Sequence, residues 1–403
     1  MPLLSFLEKE DVSLLINIGN GGINVSFVSF VKNQIPKFLY SINAPYVGEK
    51  ANASKLSDSM NLLLDSLLRI AIKKAWSNAF WSNKNRKFSH VIISFSSPWL
   101  ILKSKDIHLS QDIPFIITKK FINDVTLKEA GLFKKELLKN APENTGGGFE
   151  IIEKSIIHTK INGYTVDNII GRKTKSLDVF LYVSAISENI EKKISDIVLE
   201  HTHIERERIL MHSFPLVLFS TVRDNLEEDP DFILMNINSE ITDIILINNR
   251  IIKSVESFPF GKNTIVRRLA KFFKVSLEIA ESQLTMYMSK KVDDSTFDSM
   301  QNLLEDLEKE WSIYLEDALL TLSRDMILPK KIYVVTNNEV SSIFIYFLKL
   351  PKTDTTSNFR KHLEIIHMNE SILSRFYQNN FKTPVNESLV ILATFYNKLI
   401  QNQ

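Results

Sequence analysis

Two stretches of this sequence carry residue types that can bind a ligand by themselves. Residues 146–148 are three glycines, and such a run can cradle a phosphate with its backbone N–H groups. No helix start follows them, so we expect a flexible connection instead. Residues 201–207 hold two histidines and two glutamates, which are metal-ligand types. Their spacing fits neither a helix nor a strand, and Arg206 and Arg208 lie beside them, so we predict a solvated helix end without a metal site.

Residues 267–274 combine four basic side chains with Phe272 and Phe273, a pattern that can contact lipid or nucleic acid. The spacing favours a different interpretation. We predict a helix in which Ile265, Leu269 and Phe272 pack inward and the basic side chains form the solvated face. No Ser–His–Asp arrangement can be placed from the sequence, and we predict no catalytic residue.

The chain has 403 residues, which is longer than one hydrophobic core supports, so we expect two or more lobes. Its 49 basic and 47 acidic residues give a net charge of +2, and no strong overall field favours nucleic acid. Cysteine is absent, which excludes disulfides and fits a reducing cytoplasm. The sequence shows no signal peptide and no run near the ~18 apolar residues that span a bilayer. We therefore expect any membrane link to be peripheral or to run through a partner.

The apolar patterns predict the same supersecondary unit twice. Three strands followed by an amphipathic helix are predicted at 12–18, 23–31, 38–42 and 54–80. The same order is predicted again at 232–237, 241–247, 251–258 and 262–273, about 220 residues later. This repeat indicates an internal duplication, and the alternation of strands and helices between the copies is typical of an α/β fold.

The remaining segments predict two smaller units. A compact block of strands around one helix predicts an inserted α+β subdomain. A stripe of apolar residues at a spacing of three to four, from Met300 through Trp311 to Ala318, predicts a long helix with one face toward the core. We divide the chain into a first lobe at 11–89 and 171–228, an inserted subdomain at 90–170, a second lobe at 229–275 and 329–403, and a small helical subdomain at 276–328.

Two such halves, each with a hairpin turn facing a shared cleft, resemble the actin-like ATPase superfamily, and the small insertion resembles that of its FtsA and PilM branch. Residues 15–23 are similar to the first phosphate hairpin of the superfamily, and residues 235–244 align without gaps to the second. Residues 258–263, 280–281 and 334–338 resemble the next helix entry, an Ala-Glu pair and the adenosine loop. The resemblance implies a two-lobed, duplicated actin-like (ribonuclease H-like) α/β fold.

The resemblance also implies which residues line a nucleotide site, where backbone N–H groups of glycine turns cradle phosphates and Asp side chains organise metal waters. The corresponding residues here are Asn17, Gly19, Asn20, Gly21, Gly22, Asn236, Asn238, Ser239, Thr242, Asp243, Gly261, Glu281, Asn337 and Asn338.

Several of these positions depart from the pattern of the superfamily. Asn17 and Asn236 replace the leading Asp residues, and an amide contributes no negative charge that attracts Mg²⁺. Residues 238–240 replace three glycines, and Glu240 would repel a phosphate by roughly 1–4 kcal/mol at about 4 Å. We therefore expect weak or no ATP hydrolysis, with no cofactor or only weakly bound ATP and Mg²⁺. Alternatively, the Asn residues merely replace Asp in a site that still binds nucleotide loosely.

By resemblance, the chain is expected to be an FtsA-like scaffold that acts in cell division at the cytoplasmic membrane face. FtsA relatives usually carry a membrane-targeting helix after the core, whereas 387–400 resembles the closing helix of the core and 401–403 follow it. This favours docking on the cytoplasmic tail of a membrane protein, with possible self-assembly and no nucleic acid. The alternatives are a PilM-like adaptor of type IV pilus assembly, an active polymerising ATPase, and a phosphotransferase of the same fold.

Overall fold

The computed structural model describes residues 11–46, 53–77, 87–141, 147–323, 327–336, 339–349, 363–379, 381 and 385–401. Gly146, Asn337 and Asn338 lie outside these residues. Three β-sheets organise the described chain, and helices pack on them and between them. None of the helices in the described ranges combines the length and the hydropathy that crossing a bilayer requires.

The first sheet contains six strands. They are β1 (Asp11–Ile18), β2 (Gly22–Phe30), β3 (Lys37–Pro45), β4 (Val91–Phe95), β9 (Ile209–Ser213) and β15 (Gln378–Asn379). Their order across the sheet is β15-β3-β2-β1-β4-β9. β1 and β2 form an antiparallel hairpin, and β4 and β9 extend the sheet in parallel. The inner strands are buried on both faces, which accounts for their nearly continuous apolar sequence.

The second sheet repeats this topology. Its strands are β10 (Phe232–Ile237), β11 (Thr242–Asn248), β12 (Ile251–Phe258), β13 (Lys331–Thr336) and β14 (Glu364–His367). The order β12-β11-β10-β13-β14 matches the order β3-β2-β1-β4-β9 strand for strand. β10 and β11 are antiparallel and β13 is parallel to β10, as in the first sheet. The predicted duplication is therefore present in the fold.

Two apolar helices, α4 (Phe214–Asn225) and α10 (Glu387–Gln401), pack between the sheets. They share one core with Leu15 and Val28 of the first sheet and with Leu234 and Ile245 of the second. Both helices bury side chains around most of their circumference, as expected for helices at the centre of a protein. This shared core joins the two lobes and places the β1–β2 and β10–β11 turns at the same cleft.

Helices cover the outer faces of both sheets. They are α1 (Ala53–Ser77) and α3 (Glu188–Thr202) in the first lobe, and α5 (Lys262–Phe273), α6 (Leu277–Met288), α7 (Asp294–Leu322) and α8 (Ser341–Lys349) in the second. The short α9 (Glu370–Leu373) precedes β15. On α7, Met300, Trp311 and Ala318 are buried, as the stripe predicts. On α5, Ile265 and Leu269 are buried as predicted. The prediction that Phe272 also packs inward is wrong, since its side chain is 53% exposed.

The third sheet is the insertion. Its strands are β5 (Leu100–Ile116), β6 (Phe149–Ile161), β7 (Tyr164–Thr165) and β8 (Lys173–Ser187), in the order β5-β8-β6-β7. All of its pairs are antiparallel. Helix α2 (Lys119–Asn140) packs Ala130 and Phe133 onto one face, against Leu181 and Val183 of β8.

Strand pairing bears on where the insertion begins and ends. β4 falls within the predicted subdomain at 90–170, yet it pairs with β1 and β9 of the first sheet. β8 falls within the predicted first lobe, yet it pairs along its length with β5 and β6. We therefore propose that the insertion starts after β4 and ends with β8, because a strand belongs with the sheet that satisfies its backbone.

Candidate functional site

The β1–β2 turn, residues 19–22, is held by hydrogen bonds within the turn and from Tyr46 and Trp99. The N–H of Gly19 donates to the carbonyl oxygen of Gly22 at 3.1 Å. The carbonyl oxygen of Gly19 accepts from the indole N–H of Trp99 at 2.9 Å and from the hydroxyl of Tyr46 at 3.0 Å. A Cβ on Gly22 would lie 2.4 Å from the carbonyl oxygen of Ala44 on β3. Glycine is therefore required here by the close approach of β3.

The β10–β11 turn, residues 238–240, uses its carbonyl groups inside the second lobe. The carbonyl oxygen of Ser239 accepts from the N–H of Asn263 at 2.8 Å. Asn263 lies in the first turn of α5, where N–H groups have no partner within the helix. A Cβ on Gly261 would lie 2.3 Å from the carbonyl oxygen of Asn238, so glycine permits this contact. The turn thus caps α5.

The two turns contact each other across the cleft. The side-chain oxygen of Asn20 accepts from the N–H of Glu240 at 3.0 Å, and its amide nitrogen donates to the carbonyl oxygen of Ser97 at 3.1 Å. A Cβ on Gly21 would lie 1.8 Å from Oγ of Ser239. Asn20 is buried, so its hydrogen bonds form away from water. The two hairpin turns are therefore in direct contact. Gly21 and Ser239 lie so close together that no space for a phosphate remains between them.

Glu240 supplies an anion beside this contact. Its carboxylate accepts from both terminal nitrogens of Arg267 at 2.8 and 2.9 Å, and from the side-chain amide of Asn263 at 2.9 Å. Such a forked pair is the strong geometry for Arg and a carboxylate. Arg267, predicted on the solvated face of α5, is instead turned toward the cleft, whereas Arg268 pairs with Glu310 on the surface. The charge expected to repel a phosphate is thus paired with Arg267 in a half-buried position.

Buried amides form the floor of the cleft. The side-chain nitrogen of Asn17 donates to the hydroxyl of Ser94 at 2.9 Å, and its oxygen accepts from Asn24 at 3.4 Å. Asn17 stands opposite Asn24 in the β1–β2 register, as Asn236 stands opposite Asp243 in the β10–β11 register. The duplication therefore places three amides and one carboxyl group in four equivalent positions.

Asp243 is the carboxyl group among these four positions, and it is fully buried. One carboxylate oxygen accepts from the hydroxyl of Ser257 at 2.6 Å, and the other has no hydrogen-bond partner. Burial raises the pKa of Asp243, and the nearby polar groups of Ser257, Ser97 and Asn236 offset only part of that rise. The neutral acid is thus favoured more strongly than in water.

Asp243→Asn is expected to stabilise the protein at neutral pH. Because burial raises the pKa of Asp243, the ionised group opposes folding as pH rises above its unfolded pKa. The free energy of unfolding of the variant should exceed that of the wild type at neutral pH, and the gain should vanish in acid. Urea unfolding between acid and neutral pH measures the difference. Asp298→Asn, at an exposed position on α7, is the control; an equal gain there would contradict this account.

These residues do not fit magnesium and a nucleotide phosphate in the arrangement found. Mg²⁺ prefers carboxylate and water oxygens in an octahedron, and among the described residues the floor offers one buried carboxyl group, Asp243, whose pKa is raised by burial. The phosphate cradle between the turns is filled by the contact of Gly21 with Ser239. No nucleotide chemistry follows from this geometry.

Two further predicted site residues have structural partners. Glu281 and Glu339 both accept from the ammonium group of Lys262 at the start of α5. Burial lowers the pKa of Lys262, but the bonds to the two carboxylates outweigh it, so the pKa is raised. The hydroxyl of Thr242 donates to the carbonyl oxygen of Phe260 at 2.7 Å. Glu281 thus ties the small helical unit to α5.

The histidine-rich stretch does not assemble a site. His201 lies 2.7 Å from the carboxylate of Asp65 on α1, and His203 ends α3 in a left-handed conformation with φ of 53°. Within the described ranges, no three His, Cys, Asp or Glu side chains are grouped so that they could hold a metal ion. Sequence reasoning missed Ser97, Trp99 and the role of Arg267, because their contacts join segments far apart in the chain.

Comparison with known proteins establishes the fold. No protein-family model and no curated protein sequence matches the chain. A chain of the PilM–PilN type IV pilus biogenesis complex is similar with a TM-score of 0.57 and 14% identity, over 96% of this chain and 98% of that one. The ethanolamine utilization protein EutJ from Carboxydothermus hydrogenoformans gives 0.44 and 12%, over 96% and 89%. A Bacteroides thetaiotaomicron protein with an actin-like ATPase fold gives 0.41 and 11%, over 93% and 99%. The chain has the duplicated actin-like fold, and the first of these structures shares it along nearly its whole length.

Proposed function

We propose that this chain is an actin-fold scaffold whose lobes are joined by its own residues where relatives hold a nucleotide. The observation that carries the proposal is the direct contact between the two hairpin turns, Asn20 with Glu240 and Gly21 against Ser239. A protein closed in this way presents a fixed surface to partners without a cycle of binding and hydrolysis. Weak or absent ATP turnover is part of the proposal.

The partner is inferred to be a membrane protein whose cytoplasmic segment docks on the scaffold. The similarity to a chain of the PilM–PilN type IV pilus biogenesis complex supports an adaptor role in pilus assembly. The resemblance of the motifs to FtsA supports the other candidate, a scaffold in cell division at the cytoplasmic membrane face. Binding of the purified chain to cytoplasmic peptides of pilus-assembly and division membrane proteins decides between these roles.

Calorimetric titration tests the nucleotide part of the proposal. We expect no metal-dependent heat from wild-type protein with ATP and Mg²⁺ at concentrations up to about 1 mM, because the turns leave no phosphate cradle. The combined variant Asn17→Asp, Asn236→Asp, Asn238→Gly, Ser239→Gly and Glu240→Gly should bind at least about tenfold more tightly than wild type.

The control is Asn248→Asp with Asn249→Gly, which makes similar changes in the β11–β12 turn away from the cleft. It should leave nucleotide binding unchanged. Tight binding or turnover by the wild-type chain would count decisively against a nucleotide-independent scaffold. A combined variant that folds but gains no affinity would mean that residues elsewhere close the cleft.

A further inference from the structure

The end of the third sheet farthest from β4 brings several separate segments together. We call residues 111–120 and 160–175 the distal end. Ile116 of β5 pairs with Lys173 of β8. The N–H of Ile117 donates to the carbonyl oxygen of Arg172 at 2.9 Å, and the N–H of Gly171 donates to the carbonyl oxygen of Ile117 at 2.8 Å. These bonds fix the loop before β8 against the end of β5.

Large apolar side chains are exposed at the distal end. Ile113 and Tyr164 are each 78% exposed, Ile116 is 58% exposed and Ile170 is 40% exposed. The segments beneath them are not loose, because Ile117, Ile169, Leu177 and Val179 form a small buried core. The exposed side chains therefore project from segments that are packed on this core. Because their apolar surface remains in contact with water, their exposure is unfavourable.

Tyr164 is held outward by a tight turn. Asn162 and Gly163 have φ values of 49° and 84°, the two positive values of a hairpin turn that suits strand twist. The N–H of Asn162 donates to the carbonyl oxygen of Ser176 at 3.0 Å, and its side-chain oxygen accepts from the hydroxyl of Thr174 at 3.0 Å. The ring is therefore presented to solvent by a turn bonded to β8.

Exposed basic side chains lie on the same segments as these apolar groups. The exposed basic residues of the distal end are Lys119, Lys120, Arg172, Lys173 and Lys175. None of the five forms an ion pair with a described residue. The exposed acidic residues there are Asp112 and Asp167. The exposed residues of the distal end thus carry an excess of three positive charges, from five basic and two acidic residues, and the half-buried Lys160 adds a fourth, whereas the whole chain carries +2.

We propose that the distal end of the insertion binds the anionic headgroup surface of a membrane. Unpaired cations attract anionic lipid, and Ile113, Ile116 and Tyr164 can enter the boundary between headgroups and acyl chains. Charge alone would suit a nucleic acid or an acidic protein equally. Exposed isoleucines favour lipid over nucleic acid, because a phosphate backbone offers them no apolar surface. The distal end shares no residue with the hairpin turns. The proposal therefore goes beyond the proposed scaffold function and can be tested independently of it.

Vesicle sedimentation with the full-length chain tests this assignment. The chain should pellet with phosphatidylcholine vesicles that contain about 30% phosphatidylglycerol, should not pellet with phosphatidylcholine alone, and should be released by salt. The variant Arg172→Glu, Lys173→Glu, Lys175→Glu should lower the bound fraction at least about tenfold, since six charge units change near the surface. Ile113→Ser with Tyr164→Ser should lower binding at least about threefold while the net charge stays constant.

The matched control is Lys271→Glu, Lys290→Glu, Lys291→Glu, which makes the same change of charge at exposed positions on and after the helices α5 and α6. It should retain most of the binding. Circular dichroism and urea unfolding confirm that each variant is folded. Equal losses in both triple variants, equal binding to neutral vesicles, or no binding to anionic vesicles would overturn the proposal. Retention of an acidic peptide by folded wild type that ignores anionic vesicles would assign the surface to a protein partner instead.

Discussion

Gly21→Ala is expected to destabilise the protein by about 1–3 kcal/mol through a clash between the two lobes. The new Cβ would lie 1.8 Å from Oγ and 2.1 Å from Cβ of Ser239. Rotation of the serine hydroxyl relieves the first contact but not the second, so the hairpins must separate. Among the described glycines, positive φ values occur at Gly163 and Gly171, so Gly21 is required for space and not for backbone conformation. Urea unfolding measures the loss.

A second substitution distinguishes this clash from a local one. Ser239→Gly removes both close atoms and leaves the α-carbon of residue 239 at 3.5 Å, an ordinary contact. The double variant should therefore recover most of the stability that Gly21→Ala loses, a coupling of about 1–2 kcal/mol. Gly22→Ala is the control, because its Cβ would meet the backbone of Ala44 in the same lobe, and Ser239→Gly should not rescue it. Additive losses at 21 and 239 would mean that the turns do not touch in solution.

The fold was predictable because its signals are local and repeated. Strand and helix periodicity appears twice in one order, and each β-meander fixes its own register through buried alternation and short turns. Strand membership was harder to predict. The sequence predicts a strand at β8, but no feature of its 15 residues indicates that they pair with β5 and β6 and not with the first sheet. That assignment depends on which backbone groups remain unpaired after the other strands have formed.

The loss of Asp and Gly from the turns was visible in the sequence, whereas the contacts that replace them were not. Asn20 and Glu240 are 220 positions apart, and no periodicity links them. Arg267 fits the spacing of a solvated helix face. Its role depends on the carboxylate of Glu240, which the β10–β11 turn of the same lobe brings next to α5. From the sequence, Glu240 is predicted to repel a phosphate. That prediction assumes that the cleft is open. The structure instead provides Glu240 with a cationic partner within its own lobe.

Glu387→Gln is expected to change how stability depends on pH. Glu387 begins α10, the helix between the two sheets, and its side chain is buried. Burial raises its pKa from 4.5 to about 7, with a smaller contribution from the charge of Glu370 on α9. Because the folded protein holds this proton more tightly than the unfolded chain, the free energy of unfolding is greatest below about 4.5 and falls as pH rises to about 7. At about 1.4 kcal/mol for each pH unit, the ionised group costs about 3 kcal/mol above pH 7.

Gln cannot ionise, so the variant should match wild type near pH 4.5 and exceed its stability by up to about 3 kcal/mol near pH 8. Urea unfolding across this range, taken as the difference between the two proteins, removes the contribution of every other titrating group. Glu370→Gln should move the transition of Glu387 to lower pH, since it removes the neighbouring negative charge. Glu228→Gln, at an exposed position, should leave the difference from wild type constant. If the difference in the free energy of unfolding between Glu387→Gln and wild type were also independent of pH, water would have to reach this carboxylate at the start of α10. The core between the sheets would then be less tightly packed there than the burial of Glu387 indicates.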